Sequence, residues 1–406
     1  MLNSKNTQLI KTLHLENELK NWEEIKELKS KIDIDFFDNV NIKDKKQAIS
    51  RSIFVIKSIL KELDKQKIDI LKMDPGHGIG HMTRDYINAL QLAYKDNGTN
   101  PKELFIGIIG ASLHDIGSVL IERYSESQRL VRHAEIGALL FKRISQKLRI
   151  LNKEEEFLAC YAIAAHTTYL KTYYFKKFKV EPYKYVLNNK IIMSFQYPRF
   201  ADRLDANGAF LVARDYLILN KSHMHDGSMG KFFKTNFKDD MKITLRTQNE
   251  IEKSGGYRTA LEHLNIYMLG QKNSVHSQYD TKVMEYFRDN ETRNLKNIIN
   301  SILKPKKLES RKIDEIQKKW TIFLYKNIEP TEMGKKTSIE LNKKFKKLKE
   351  SEINAWTYGF YITMQEYNKS AYKMLKFLDK IPKEYQILPV IGKLKTLIKP
   401  SVKFDN

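Results

Sequence analysis

The longest apolar stretch of the chain, Leu104 to Leu113, ends directly on the pair His114-Asp115. A segment that crosses a bilayer needs about 20 such residues, roughly twice this length. The run is therefore read as a helix buried in a folded core, and the imidazole and carboxylate at its end are buried with it. That is costly unless both groups are satisfied. A divalent cation satisfies them together, because borderline metals accept nitrogen and oxygen ligands alike.

The surrounding sequence reads as helical. Ile49, Ile53, Ile56, Ile59 and Leu60 recur at three- and four-residue spacing among charges, the pattern of an amphipathic helix. Similar spacing predicts helices over 16–30, 46–66, 78–95, 101–116, 132–147, 154–169 and 190–219. Asp74-Pro75-Gly76 and Asn97-Gly98-Thr99-Asn100-Pro101 are the breaks. Residues 221–231 read as a loop and a domain boundary. Further helices are expected over 248–302 and 310–380, separated by the lysine- and proline-containing stretch 304–307. The expected fold class is all-α, with a helical N-terminal segment over 1–47, a central domain over 48–220 and a basic helical region over 221–406.

Hydrophobic residues make up 41% of the 406 residues and charged residues 30%, which indicates a folded chain. The single cysteine, Cys160, excludes an intrachain disulfide and sits in the apolar run Phe157-Leu158-Ala159-Cys160-Tyr161, where it reads as a small core residue. No apolar run follows the N-terminal residues, so no secretory signal is expected and the expected location is cytoplasmic. The net charge is +23, and residues 221–406 alone carry 37 Lys/Arg against 22 Asp/Glu. Such an excess favours anionic partners such as nucleic acids, nucleotides or membrane surfaces, or serves solubility alone.

Other polar residues interrupt apolar helical stretches as His114 and Asp115 do. His133 opens a predicted helix with Ala134-Glu135-Ile136-Gly137-Ala138, His166 ends the run Ala162-Ile163-Ala164-Ala165, and Asp202 lies in Phe200-Ala201-Asp202-Arg203-Leu204. One such residue reads as a satisfied core side chain. Five positions together point to a shared metal centre.

Taken in order, His81-Met82-Thr83-Arg84, Leu113-His114-Asp115-Ile116-Gly117, His133-Ala134-Glu135-Ile136-Gly137-Ala138, Ala165-His166 and Ala201-Asp202-Arg203-Leu204-Asp205 resemble the HD-domain superfamily of metal-dependent phosphohydrolases. The resemblance covers about residues 71–215. It implies an all-helical bundle in which His81, His114, Asp115 and Asp202 hold one metal ion. His133 and His166 would hold a second ion, with Asp115 shared, and His114 and Asp115 would form the catalytic pair. Two ions about 3.5–4 Å apart suit hydrolysis of phosphate esters, since they acidify a bridging water and clamp the attacked and leaving oxygens. Histidine and carboxylate ligands favour Mn, Fe, Co, Ni or Zn over Mg.

The chain departs from family patterns at two places. Ser118 follows His-Asp-Ile-Gly where a lysine is common, which leaves Arg84, Arg132 and Arg203 as candidate phosphate contacts or surface ion pairs. Thr167-Thr168-Tyr169-Leu170 replaces the Gly-Tyr-Pro signature of the branch that cleaves cyclic dinucleotides, and no Glu-Asp pair of the alarmone hydrolases is present. His77 is an outer contact of the site or an exposed loop residue. Thr167, Thr168 and Asn207 stand beside ligands and are candidate hydrogen-bond donors to substrate. His223 and His225 read as an incidental pair.

In the basic half, Lys335, Lys336, Lys343, Lys344, Lys346, Lys347 and Lys349 flank Ile339, Phe345, Leu348 and Ile353, which are expected to share an apolar face. The lysines read as a solvated face or a nucleic-acid or membrane contact. Trp356, Tyr358, Phe360, Tyr361, Tyr367 and Tyr372 read as core. The expectation is a phosphohydrolase acting on a phosphorylated substrate, a nucleotide or nucleic acid. Its rivals are a di-iron oxygenase with the same ligands, and a binding protein with a structural metal site.

Overall fold

The computed structural model describes residues 32–66, 70–73, 75–123, 126–166, 183–219, 223–225, 232–234, 236–254, 256–273 and 277–385, with the isolated positions 23, 26, 68 and 399. The expected helix over 16–30 lies almost wholly outside these residues. Among the described residues the chain is predominantly helical, with two small two-stranded hairpins. None of the described helices is long and apolar enough to cross a membrane.

The chain forms two compact units, residues 1–73 with 82–202 and residues 74–81 with 203–406. The breaks fall between residues 73 and 74, 81 and 82, and 202 and 203, the last two inside helices. The first unit holds α1 (Lys45–Lys65), most of α2 (Ile79–Lys95), α3 (Pro101–Leu113), α4 (Glu126–Leu148), α5 (Lys153–Ala164) and most of α6 (Met193–Asp205). Their starts follow local chemistry. Asp44 caps α1 by accepting from the Gln47 N–H at 2.8 Å, and Asn100 caps α3 with Pro101 at its first position. A reciprocal Asn152–Glu155 capping box opens α5. Each supplies an acceptor for N–H groups that the first helical turn leaves unpaired.

Helix α3 is the centre of this unit, and Leu104 to Leu113 are all buried. Its glycines let neighbours approach closely. A Cβ on Gly107 would stand 3.0 Å from the Tyr197 Cβ, and one on Gly110 only 2.7 Å from the Pro198 Cγ. Cys160 is buried on α5, and burial pushes its thiol far above the ordinary range, so it is the inert core residue the sequence predicts.

The expected helix over 190–219 is reorganised at both ends. Strands β1 (Val186–Leu187) and β2 (Lys190–Ile191) pair antiparallel. Between them Asn188 and Asn189 take φ of 48° and 60°, the left-handed conformation a two-residue hairpin turn requires. The helix therefore begins at Met193, and it breaks after Asp205. There Asn207 caps α7 (Gly208–Ile218) and bonds the Thr292 hydroxyl at 3.0 Å. Asn207 is thus a helix cap, not the free substrate donor its position suggested.

In the second unit α7 is followed by α8 (Ala260–Asn273), α9 (Lys282–Leu303), α10 (Ser310–Phe323), α11 (Glu332–Phe345) and α12 (Glu350–Leu378). Helix α7 packs on α9 and α12, and α12 packs on α9 and α10. Trp320 and Phe360 stack at 4.3 Å, with Tyr216 edge-on to both. Trp356, Phe360 and Tyr367 are buried as expected, whereas Tyr372 is exposed. Within 221–231, expected as loop, residues His223–His225 form β3 and pair with β4 (Phe232–Lys234). The lysine-rich stretch is not one amphipathic helix. Lys335, Lys336, Lys343 and Lys344 lie on α11 and Lys346, Lys347 and Lys349 in the connection before α12, Ile339 is exposed, and Thr337, Ser338, Leu341 and Phe345 form the buried side of α11.

Candidate metal centre

His114 and His166 occupy equivalent places on different helices. His114 is the residue directly after α3, and its Nδ1 lies 2.9 Å from the Ala111 carbonyl oxygen. His166 follows the end of α5, with its Nδ1 2.7 Å from the Ile163 carbonyl oxygen. The last carbonyls of a helix have no helical donor. Here an imidazole N–H supplies one, which assigns the proton to Nδ1 and leaves the Nε2 lone pair free to bind a metal ion. Burial, then the neighbouring His114 and His133, holds His166 well below the ordinary imidazole range. It is neutral at neutral pH, as a ligand must be.

Asp115 lies between these rings. Its Oδ2 is 3.6 Å from His114 Nε2, while its Oδ1 is 3.2 Å from His133 Nε2 and 3.8 Å from His166 Nε2. The two oxygens of one carboxylate thus face different imidazoles, the disposition of a bridging ligand. His133 Nε2 and His166 Nε2 stand 3.1 Å apart. Helix α4 begins at Glu126, so His133 lies two turns inside it and does not open it as expected.

Gly117 explains how His133 reaches this place. The main chain after Asp115 runs against α4 so closely that a Cβ on Gly117 would collide with the His133 carbonyl and the Gly137 nitrogen. Only glycine allows that approach. The His-Asp-Ile-Gly sequence therefore carries two residues of the cluster and the close contact that brings a third, His133, beside them.

A second cluster adjoins the first. One ligand atom from each of Asp85, His114 and Asp202 lies within 4.8 Å of the others, and the same holds for His114, Asp115 and His166. Asp85 Oδ2 is 3.5 Å from His114 Nε2, and both side chains are fully buried. The sequence reading missed Asp85. Its signal was the four-residue interval from His81 on one predicted helix, which places both on one face.

His81 lies in the first turn of α2. Its Nδ1 is 2.6 Å from Asp205 Oδ2, with both side chains fully buried. Arg214 Nη1 lies 3.4 Å from the same oxygen, and Arg214 Nε donates to the Gly76 carbonyl at 2.7 Å. Asp205 thus sets the His81 tautomer, with the proton on Nδ1 and the lone pair on Nε2. Tyr185, from the hairpin segment, donates its hydroxyl to the Ala165 carbonyl beside His166 and carries the Arg199 guanidinium over its ring at 4.2 Å. No sequence motif announces that contact.

The expected substrate contacts are placed less uniformly. Arg84 is buried on α2. Arg203 Nη2 pairs with Asp280 at 2.7 Å, and Arg288 joins the same carboxylate at 2.6 Å, so Arg203 is committed to an ion-pair network. His77 is half-buried and precedes the first residue of α2, so the helical spacing expected between it and His81 is not formed. Thr167 and Thr168 lie outside the described residues, as does the side chain of Arg132.

No protein-family model, no curated protein and no solved structure matches the chain.

Proposed function

We propose that this protein is a metal-dependent phosphohydrolase that cleaves a phosphate ester or phosphoanhydride, in a nucleotide or nucleic acid, at the His/Asp cluster. The observation that carries the reading is Asp115, whose two oxygens are aimed at different histidines. The donor set fits divalent cations. Asp85, Asp115 and Asp202 bring three carboxylates to a largely buried cluster, and carboxylates with imidazoles are a ligand set that divalent transition metals accept. His114, His133 and His166 present Nε2 atoms to it, and His81 stands one helical turn before Asp85 on α2.

Bound ions would supply an acidified water and a clamp on phosphoryl oxygens. The protein's own residues hold the ligand atoms in place. Ala111 and Ile163 orient two imidazoles, Asp205 orients His81, and Gly117 brings α4 against Asp115. Substrate class rests on the motif resemblance and on the basic character of residues 221–406.

The test is an activity screen of metal-reconstituted protein on mononucleotides, cyclic nucleotides and single-stranded oligonucleotides, with Asp115→Ala as control. Phosphate release that Asp115→Ala abolishes is the expected result. Release that survives the substitution assigns the hydrolysis elsewhere. Iron-dependent oxygen consumption without phosphate release identifies the oxygenase chemistry instead.

A further inference from the structure

We propose that Asp85 is a metal ligand and that it makes the two ion positions unlike: an oxygen-rich position that selects Mn2+ and a nitrogen-rich position that selects Zn2+. This rests on the metal-centre reading above and specifies it further.

His114 donates its Nδ1–H to Ala111. In the neutral ring, Nε2 then presents a lone pair to the Asp85 carboxylate 3.5 Å away and to the Asp115 carboxylate 3.6 Å away. Acceptors facing one another in a buried site need a proton or a cation between them. The direction of Asp85 is fixed by its helix. It projects from the third position after Met82 on α2, a rigid element, and has no need of the mobile reach of a long side chain. Asp202, on α6, completes the group within 4.8 Å.

The donors divide unequally. Asp85 and Asp202 bring two carboxylates to the one imidazole of His114. On the other side Asp115 Oδ1 meets two imidazoles, His133 and His166, at 3.2 and 3.8 Å. Carboxylate-rich sets suit Mn2+, and imidazole-rich sets suit Zn2+ and its neighbours. Asp85 widens this difference: the first position already takes Asp202 and the Asp115 Oδ2 that faces His114, while the second has the Asp115 Oδ1 alone.

Chelator-stripped full-length protein is incubated with an equimolar excess of Mn2+ and Zn2+, desalted and analysed for bound metal. One ion of each kind per chain is expected, and two ions of one kind overturn the proposal. Asp85→Asn is then expected to lose the Mn2+ equivalent and keep Zn2+, with Mn2+ affinity falling by about a hundredfold or more, beyond the range of outer-shell changes. Asp85→Glu, which keeps the carboxylate, is expected to recover part of the Mn2+ binding. Unchanged metal content in a folded Asp85→Asn protein overturns the role of Asp85 while the metal centre stands. A wild-type protein that binds neither ion, with His114 Nε2 protonated against Asp85, overturns the metal-centre reading itself. The wild-type competition needs no variant, so misfolding of Asp85→Asn leaves the test intact.

Discussion

Asp205 accepts from His81 Nδ1 at 2.6 Å, and neither side chain reaches solvent. Carboxylate partners of this kind hold a metal-binding imidazole in one tautomer and make it more basic. Asp205→Asn keeps the shape and removes the charge. Metal affinity is expected to fall by about 10- to 100-fold, measured by competition with a chromogenic chelator, with the circular dichroism spectrum unchanged. Unaltered affinity would show that His81 is held by its helix alone.

Gly117 sits where main chain meets main chain. Gly117→Ala must push α4 away from Asp115, because the atoms met are the His133 carbonyl and the Gly137 nitrogen. Overpacking of this kind costs about 1–3 kcal/mol. Both a lower unfolding midpoint and weaker Zn2+ binding are expected, since His133 moves with the helix. Gly270→Ala is the control, as a Cβ there meets nothing within 4 Å.

Glu155 is buried and receives both terminal nitrogens of Arg51, at 2.5 and 2.7 Å, and the Asn41 N–H at 3.1 Å. It also closes the capping box of α5, the helix that ends beside His166. Glu155→Ala removes the carboxylate partner of the guanidinium and opens the cap. A loss of about 3–5 kcal/mol is expected from chemical denaturation.

Glu262 gives the pH dependence of the second unit a definite sign. Burial raises its pKa, but the hydrogen bonds from Arg246, with the Arg258 N–H and the Arg246 charge, outweigh this and hold it below the ordinary value. A carboxyl depressed in the folded state contributes stability above its unfolded pKa, and the contribution is lost as pH falls through the folded value. Glu262→Gln is expected to lower stability at pH 7 and to flatten its fall between about pH 5 and pH 3, measured by urea titrations at each pH. Parallel wild-type and variant curves would contradict this.

The parts of the fold legible in the sequence were those governed by local chemistry. Apolar spacing located α1 within a residue of its ends, and Asn100-Pro101 fixed the start of α3. Boundaries failed where the deciding contact lay elsewhere in the chain. Asn188 and Asn189 adopt left-handed φ in a hairpin turn that apolar periodicity cannot reveal, and α4 extends a turn and a half before the first residue its pattern marked. At the site, ligands ending apolar runs were visible because burying them is expensive. Asp85 was not, since it lies inside an amphipathic helix where a carboxylate looks like an ordinary polar position. Asp205 and Tyr185 act through other residues, and only three-dimensional packing identifies such partners.

The two histidines that follow α3 and α5 also bear on the order of binding that the proposed function would require. Helix carboxyl ends carry partial negative charge, and here two of them accompany the carboxylates of Asp85, Asp115 and Asp202. An anionic phosphate approaching these carboxylates without cations would be repelled by them. On the proposed function cations would therefore arrive first, and substrate affinity would report ion loading. The centre would then stay closed to phosphates whenever the cell withholds its metal.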